Sequence, residues 1–408
     1  MKRISLLLLA SIVYQPVNAS QLFNINTDGF ALTVTTTIPN HLYSSAGIKF
    51  NTPGFSMASG CNRSKTSGYC IFPVSDKLPA VIPVMGSGSI ATYSATLCLN
   101  GNGPMSCQQF DNLQYIGPAR FAYIANYGET PSVLACTLDM FGAIETCQDT
   151  GGGIPAGFGA NGITLNNAGN TAFLTGFSEP RVYQCPVNAS TGTFSNCTFT
   201  TITTPSGYTP EYGMLVLNPT NTLAYIGDNS GRILACPIAN NVIQGDCVDT
   251  GAIVEDSISG VTLNRAGTVF YGANYGAPEV TVCAVNGGTF SSCVQKTGGG
   301  AITFTEPGGV VLNRAETLVY ITDYNAGKVY ACSTTPNNTS SFANCFTAAS
   351  GITEAWGIAL NAANTVAYVT DFSGLIYTCP VNTDATFGSC TITSGQVIEG
   401  TGIALGYS

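Results

Sequence analysis

Charged residues are scarce in this 408-residue chain, and basic residues are the scarcest. The chain holds 13 lysines and arginines, 22 aspartates and glutamates, and a single histidine, His41. Nucleic acids and anionic membranes are bound by clustered positive charge, so this composition excludes both as partners. Because no histidine follows residue 41, Ser-His-Asp catalysis and histidine-bound metals are excluded from the rest of the chain.

Long apolar segments are missing as well. The apolar run at residues 4–14 has roughly 11 residues, whereas a transmembrane helix needs about 20. Lys2 and Arg3 precede this run and small residues follow it up to Ala19, which is the order of a secretory signal. We predict a signal peptide at residues 1–19 and an exported, acidic mature protein without a membrane span. Its predicted location is the periplasm, the cell surface or the medium.

Cysteine is plentiful, and its 16 residues form a pattern. An even number of cysteines in an exported protein favours disulfides. Six pairs recur with first members 47 to 51 residues apart: Cys136 and Cys147, Cys185 and Cys197, Cys236 and Cys247, Cys283 and Cys293, Cys332 and Cys345, Cys379 and Cys390. Two further pairs precede them, Cys61 and Cys70, and Cys98 and Cys107. We predict a disulfide within each pair.

A period near 50 residues indicates a repeat architecture. The last repeat, residues 357–393, contains four short strands at 358–360, 366–370, 375–380 and 390–392, here named a to d. The b–c connection reads Asp or Asn, then an aromatic residue, then Gly, Ser or Asn, which is turn chemistry. Evenly spaced strands of this kind predict an all-β chain that forms a β-propeller with four-stranded blades. The spacing places the first cysteine of each pair on strand c and the second on strand d.

The number of blades depends on the C-terminus. Residues 402–405 repeat the strand-a phrase GIAL without strands b, c or d, so we expect the strand 402–406 to close the ring over residues 111–408. Six blades result if it joins the strand b at residues 121–125, and this is the favoured alternative. Seven result if residues 113–116 are that blade's strand a. Residues 20–110 do not follow the repeat, and we predict a small disulfide-bonded β domain there, with an immunoglobulin-like fold as one option.

The b-strand phrases AYIANYG (residues 122–128), VYITDYN (319–325) and AYVTDFS (367–373) resemble bacterial YVTN-type β-propeller repeats and the related NHL repeats. This resemblance recurs six times and covers about residues 112–408. It implies a bacterial exported propeller. Propellers of this kind include binding proteins, surface proteins and lactone hydrolases, so the resemblance predicts a fold more narrowly than a function.

Carboxylates precede strand a in most repeats. The predicted set is Glu211, Glu255, Glu306, Glu354 and Glu399, with Asp256 beside Glu255. The b–c loops add Asp228, Asp323 and Asp371, with Asn126 and Asn274 at equivalent positions. Because the d–a and b–c loops share one face, we expect an acidic channel mouth. Oxygen-rich sites of this kind suit Ca²⁺ or Mg²⁺, which makes a cation site one alternative. The favoured alternative is a set of solvated turn residues.

Two functions remain open. The first, which is favoured, is an exported recognition or surface protein, monomeric, that binds a protein, a glycan or a small ligand through its blade faces. The second is a divalent-cation-dependent hydrolase of the lactonase type at the acidic mouth. This second hypothesis rests on residues 354–357, Glu-Ala-Trp-Gly, which resemble the Glu-Gly-Pro-x-Trp start of gluconolactonase-like propellers. In that family the Glu is a metal ligand. The sequence identifies no catalytic residue.

Overall fold

The computed structural model describes most of the chain after residue 118 and scattered strands before it. The described residues are 23–27, 31–36, 43–51, 56–57, 62–63, 70–73, 80–85, 90–101, 106–116, 119–128, 132–139, 141–177, 179–203, 212–252, 254, 256–395, 397 and 399–407. Every secondary-structure element assigned within these residues is a β-strand, which agrees with the predicted all-β class. These residues include no helix long and apolar enough to cross a membrane. The predicted signal peptide, His41 and Cys61, with its predicted bond to Cys70, lie outside what the structure describes.

The chain divides into two compact units, residues 1–117 and 118–408. The first unit contains β1 (Phe23–Thr27), β2 (Ala31–Thr36), β3 (Tyr43–Phe50), β4 (Ser56–Met57), β5 (Asn62–Arg63), β6 (Cys70–Pro73), β7 (Ala80–Met85), β8 (Ile90–Gly101) and β9 (Ser106–Ile116). They form two sheets, ordered β1-β2-β7-β4 and β5-β6-β3-β8-β9. Strand β9 continues past residue 110, and its last residues pair with β8. Residues 113–116 are therefore not a propeller strand, which removes the seven-blade alternative. The immunoglobulin-like fold stays a prediction.

The second unit contains six sheets of four or more strands. Blade 1 consists of β10 (Phe121–Asn126), β11 (Val133–Leu138), β12 (Ile144–Asp149) and the C-terminal β36 (Gly400–Gly406). Blade 2 consists of β13 (Ala160–Leu165), β14 (Thr171–Gly176), β15 (Arg181–Pro186) and β16 (Thr198–Thr201). Blade 3 consists of β17 (Tyr212–Leu217), β18 (Leu223–Asp228), β19 (Ile233–Ala239), β20 (Val242–Ile243) and β21 (Val248–Asp249).

The remaining three blades repeat the same order. Blade 4 consists of β22 (Ile258–Leu263), β23 (Val269–Asn274), β24 (Glu279–Asn286) and β25 (Thr289–Lys296). A two-stranded ribbon follows, β26 (Gly298–Gly299) and β27 (Ile302–Thr303). Blade 5 consists of β28 (Pro307–Leu312), β29 (Leu318–Asp323), β30 (Lys328–Thr335) and β31 (Asn338–Ser350). Blade 6 consists of β32 (Ala355–Leu360), β33 (Val366–Asp371), β34 (Ile376–Pro380) and β35 (Thr391–Thr393).

The innermost strands of the six blades contact one another in a closed circle, in the order β36, β13, β17, β22, β28, β32 and back to β36. Strand β36 pairs with β10, so the C-terminus supplies the inner strand of the first blade. The second unit is a six-bladed β-propeller. Closure by a C-terminal strand leaves no inner edge open to solvent.

The second strand of each blade is buried on both faces, because every blade lies between two others. In β10, Phe121 and Tyr123 pack against blade 2, whereas Ala122 and Ile124 pack against blade 6. Strands buried on both faces read as continuous apolar runs rather than as alternating ones. Six such clusters fill the six interfaces between blades.

Tyrosines of this second strand also bind the neighbouring blade through their hydroxyls. Tyr368 of blade 6 donates to the Gly142 carbonyl of blade 1 at 2.7 Å, and Tyr320 of blade 5 donates to the Ala385 carbonyl of blade 6 at 3.1 Å. Both acceptors lie in the hairpin that joins the two outer strands of the next blade. The tyrosine in the repeated phrase therefore links blades as well as filling the core.

Each predicted cysteine pair that falls within the described residues is bonded. One disulfide, Cys98–Cys107, lies in the first unit. Every blade of the second unit has one more between its third strand and its outer strand region: Cys136 with Cys147, Cys185 with Cys197, Cys236 with Cys247, Cys283 with Cys293, Cys332 with Cys345, and Cys379 with Cys390. No free cysteine occurs among the described residues. Disulfides in this number are typical of an oxidising compartment outside the cytosol.

The second cysteine of each pair was predicted to lie on the outer strand, and this is confirmed in three blades only. It belongs to that strand in blades 1, 4 and 5, as Cys147 in β12, Cys293 in β25 and Cys345 in β31. The prediction is wrong for blades 2, 3 and 6, where the second cysteine directly precedes the strand, as Cys197, Cys247 and Cys390. In those three blades the bond holds the two Cα atoms 4.2, 4.2 and 4.1 Å apart, and backbone pairing begins at the next residue. The disulfide therefore starts the outer strand there instead of lying within it.

Candidate functional site

One face of the ring carries a repeated side chain directly after the second strand of each blade. The six residues at this position are Tyr127, Phe177, Asn229, Tyr275, Tyr324 and Phe372. Five of the six are aromatic, and all six are half-buried. Their backbone N–H groups hold them in place: that of Tyr324 donates to the Glu306 carbonyl at 2.8 Å, and that of Tyr127 to the Glu399 carbonyl at 2.9 Å. At the five aromatic positions, the loop before the inner strand thus fixes this residue.

The aromatic side chains form a continuous arc, which we call the aromatic arc: Phe177, Tyr127, Phe372, Tyr324 and Tyr275. Neighbouring ring centroids lie 5.5, 5.8, 6.2 and 5.5 Å apart along it. Three of the four contacts are edge to face, with interplanar angles of 83°, 80° and 84°. Aromatic pairs favour this geometry because a positive ring edge meets a negative ring face.

The only tryptophan of the sequence, Trp356, lies inside this arc. Its ring centroid is 4.8 Å from that of Tyr275, 5.2 Å from Phe372 and 5.8 Å from Tyr324. The side chain is 7% exposed, and its indole N–H has no hydrogen-bond partner among the described residues. A buried donor without an acceptor costs about 1–3 kcal/mol relative to a satisfied one.

The ring positions and Trp356 enclose a cavity of about 400 Å³. Its apolar wall is the aromatic arc with Trp356. Its polar wall, which we call the polar gap, is formed by Asn161, Asn229, Asp256, Ser257 and Ser259. The gap arises where blade 3 carries asparagine instead of an aromatic residue. A volume of this size suits a small organic ligand.

Hydrogen bonds hold the polar gap. The Ser257 hydroxyl donates to the Asn229 side-chain oxygen at 2.6 Å, and the Asn161 amide donates to the Tyr212 carbonyl at 3.0 Å. The Ser259 hydroxyl donates to the Gly308 carbonyl at 2.7 Å. Asp256 is exposed, and its carboxylate accepts the Ser257 N–H at 2.7 Å. These contacts orient the polar side chains without using an external ligand.

The backbones of neighbouring inner strands pack tightly around the axis. The site where Gly357 would carry a Cβ is occupied by the Thr401 carbonyl, and that of Gly309 by the Trp356 carbonyl. Hydroxyls reinforce this contact, since Thr370 donates to the Thr401 carbonyl at 2.5 Å. Only glycine permits so close an approach of neighbouring strands.

The predicted acidic mouth lies only partly within the described residues. Glu306, Glu354 and Glu399 lie before the inner strands and are half-buried, while Glu211 and Glu255 lie outside the described residues. Among the described residues, no three acidic, histidine or cysteine side chains group closely enough to hold a metal ion. The complete five-glutamate ring and its Ca²⁺ or Mg²⁺ stay a prediction.

The aspartates of the b–c loops do not contribute to an acidic surface, contrary to the expectation. Asp228, Asp323 and Asp371 are fully buried. The Asp228 carboxylate accepts the N–H groups of Ser230 and Arg232, both at 2.9 Å. Aspartates in this role cap a turn by hydrogen bonding to nearby backbone N–H groups. They shape the loops that carry the arc.

Carboxylates nevertheless influence the cavity. Burial raises the pKa of the Tyr275 hydroxyl, and the negative charges of Glu306 and Glu354 raise it further. Burial also raises the pKa of Tyr324, followed by the charge of Glu354. Both phenols therefore stay neutral at physiological pH.

The sequence contains a pattern that corresponds to the aromatic arc, although the pattern by itself indicates only a turn. An aromatic residue follows the Asp, Asn or Gly that ends strand b in five repeats of six. Within a blade this position looks like a loop tip. Only ring closure brings residues about 50 positions apart around one axis.

Comparisons with known proteins support the fold alone. No family model matches the chain, and no curated protein matches it. A chain of the nidogen–laminin complex is similar in structure, with a TM-score of 0.51 and 13% identity over 71% of this chain and 98% of that one. A proposed 6-phosphogluconolactonase from Bacteroides uniformis has a TM-score of 0.45 and 12% identity over 89% of this chain and 99% of that one. A functionally unknown protein from Desulfotomaculum acetoxidans has a TM-score of 0.45 and 14% identity over 76% and 96%. The resemblance to YVTN and NHL repeats stays a prediction beyond the propeller fold.

Proposed function

We propose that this protein is an exported recognition propeller that binds a small organic ligand, or a protruding group of a larger one, in the central cavity. The single observation that carries the proposal is Trp356. Its indole N–H is buried without a partner among the described residues, on a side chain that lines a cavity of about 400 Å³. Ligand pockets typically combine an apolar, aromatic wall with a few placed polar groups, and the arc and the gap supply both.

The hydrolase alternative has less support. A divalent-cation mechanism needs several ligands around the metal, and among the described residues no three acidic, histidine or cysteine side chains group closely enough to hold one. That alternative therefore depends on Glu211 and Glu255, which lie outside the described residues. The residues that line the cavity in the described part of the chain include a carboxylate but no nucleophile–base pair, because the Ser257 hydroxyl donates its hydrogen bond to the Asn229 side-chain oxygen.

The single tryptophan makes the test direct. Ligands of different classes (sugars, quaternary ammonium compounds, lactones and phosphorylated sugars) would be titrated into the purified mature protein while tryptophan fluorescence is recorded. Because Trp356 is the only tryptophan, any saturable change reports on this cavity. A bound ligand at a hundredfold excess over its Kd should also stabilise the fold by about 2.7 kcal/mol.

Matched variants separate the cavity from the rest of the surface. Tyr324→Ala should abolish the saturable change, because it opens the arc, whereas Phe141→Ala, at a side chain 77% exposed, should leave it intact. For Trp356→Phe, calorimetry replaces fluorescence, and affinity should fall about tenfold through loss of the N–H donor. Ligand binding that survives Tyr324→Ala unchanged would place the binding site elsewhere.

A further inference from the structure

The charge around the cavity has one sign. Asp256 is the only charged side chain that lines it, and no lysine, arginine or histidine is among the lining residues that the structure describes. The carboxylates of Glu306 and Glu354 act on the hydroxyls of the arc from just outside. A ligand anion, such as a phosphorylated sugar, would meet repulsion from these groups and no compensating cation.

The orientation of the rings adds a second constraint. Rings of the arc stand edge to face at three of its four contacts and are tilted at the fourth, so they do not form one flat platform. The flat face of a sugar stacks best on a coplanar ring. A compact cation is attracted to several ring faces at once, because each face carries negative electrostatic potential.

The surrounding residues determine the position of the Asp256 carboxylate. Its carboxylate accepts the Ser257 N–H at 2.7 Å and lies where a side chain on residue 276 would be, and residue 276 is glycine. Gly276 directly follows Tyr275 of the arc, so the loop of blade 4 leaves room for the carboxylate beside the aromatic wall. A cation in the cavity would thus meet the aromatic wall on one side and a carboxylate on the other.

We infer that the ligand is a small methylated ammonium compound that carries an oxygen acceptor close to its cationic centre. This inference rests on the proposed function of the cavity. The methylated cation fits the aromatic arc and Asp256, and the oxygen accepts the unpartnered N–H of Trp356. Quaternary ammonium groups are held by aromatic cages of this chemistry.

The test compares choline with 3,3-dimethyl-1-butanol, in which carbon replaces the cationic nitrogen and the shape and hydroxyl are kept. Both would be titrated into the mature protein with Trp356 fluorescence as the readout. We expect choline to bind about tenfold or more tightly than the neutral alcohol, because it alone gains cation–π attraction. Phosphocholine, whose phosphate is repelled, should bind more weakly than choline, which separates free amino alcohols from lipid headgroups as the source.

Two variants locate the charge effect. Asp256→Asn, at an exposed position, should weaken choline binding by roughly two- to fivefold and leave the neutral alcohol unchanged. Glu179→Gln, in an ion pair with Arg181 outside the lining, is the control and should change neither. Added salt should weaken the binding of choline alone.

Each outcome decides something distinct. Equal affinity for choline and its neutral isostere overturns the cationic ligand while the cavity function stands. Binding of sugars or lactones with no response to choline would likewise overturn the cationic ligand while the cavity function stands. If no compound of any class changes the Trp356 signal or the melting temperature, both the ligand class and the proposed function are overturned.

Discussion

The innermost and outermost strands of the blades are stabilised in opposite ways. The inner strands are buried, and their backbones lie so close together that Gly309 and Gly357 leave no room for a side chain. The outer strands are more exposed than the inner ones, as in β35, where Ile392 is 55% exposed. Each has a sheet neighbour on one side only and is joined to it by a disulfide.

This difference follows from the geometry of a ring. Near the axis the blades converge, so backbone packing and hydrogen bonds across blades suffice. At the rim the blades spread apart, and the outermost strand buries little apolar surface, which weakens it. A covalent bond compensates there by restricting the unfolded chain. The predictions below alter the centre and the rim separately.

The largest effect is expected from removing the inner strand of blade 1. Deleting residues 400–408 should leave β10 with an unpaired edge and open the ring. The loss should be comparable with the whole stability of a domain, roughly 5–15 kcal/mol. Circular dichroism during heating should then show no cooperative transition for the propeller. A truncated protein that melts like the full chain would show that closure is dispensable.

At the rim, the disulfide of blade 6 provides the next largest effect. The double variant Cys379→Ala, Cys390→Ala opens a loop with a sequence separation of 11, which should cost about 3 kcal/mol. Urea unfolding of the variant and of the wild type, both without reductant, measures the difference. The idea of covalent stabilisation at the rim fails if the two curves coincide.

Adding a single methyl group should destabilise the protein more at the centre of the propeller than at its rim. In Gly357→Ala the added Cβ collides with the Thr401 carbonyl, and overpacking of this kind costs about 1–3 kcal/mol. Gly388→Ala, in the outer hairpin of the same blade, meets its nearest atoms at 3.6 Å and should change stability by less than about 0.5 kcal/mol. Equal melting temperatures for the two variants would contradict the close packing at the axis.

The smallest effect concerns the hydroxyl that links blade 6 to blade 1. Tyr368→Phe keeps the ring in the core but removes the hydrogen bond to the Gly142 carbonyl, which should cost about 1 kcal/mol. Tyr212→Phe is the control, because the hydroxyl of this fully buried tyrosine has no hydrogen-bond partner among the described residues. Chemical denaturation of both would detect the difference, and an equal or larger loss for Tyr212→Phe would argue against the cross-blade role.

Much of the fold could be predicted from the sequence because it repeats. The strands expected at 358–360, 366–370, 375–380 and 390–392 correspond to β32, β33, β34 and β35, with ends within a few residues. The cysteine pairs were predictable for the same reason. A spacing of 10 to 13 residues across one hairpin leaves little choice of partner. Where the outer strand begins was less predictable, because the outer loops differ in length and turn chemistry between blades.

The site could not be predicted in the same way. The sequence predicts that the glutamates converge because their positions match between repeats. Matched positions, however, determine only the blade to which a residue belongs and its height along the propeller axis. The aspartates after strand b were assigned to an acidic surface, whereas Asp323 is buried and accepts backbone N–H groups of Thr305 and Glu306. Composition does not reveal whether a carboxylate faces solvent or its own loop.

The sequence by itself determined the local structure: the short strands, the turns, the disulfide within each hairpin and the number of repeats. These depend on residues that are near one another along the chain. The tertiary structure decided how the C-terminal strand closes the ring and which side chains meet at its centre. Tyr127 and Phe372 lie side by side in adjacent blades although 245 positions separate them. Packing of six blades around a common axis, rather than any local preference, places the aromatic arc, Trp356 and Asp256 around one cavity.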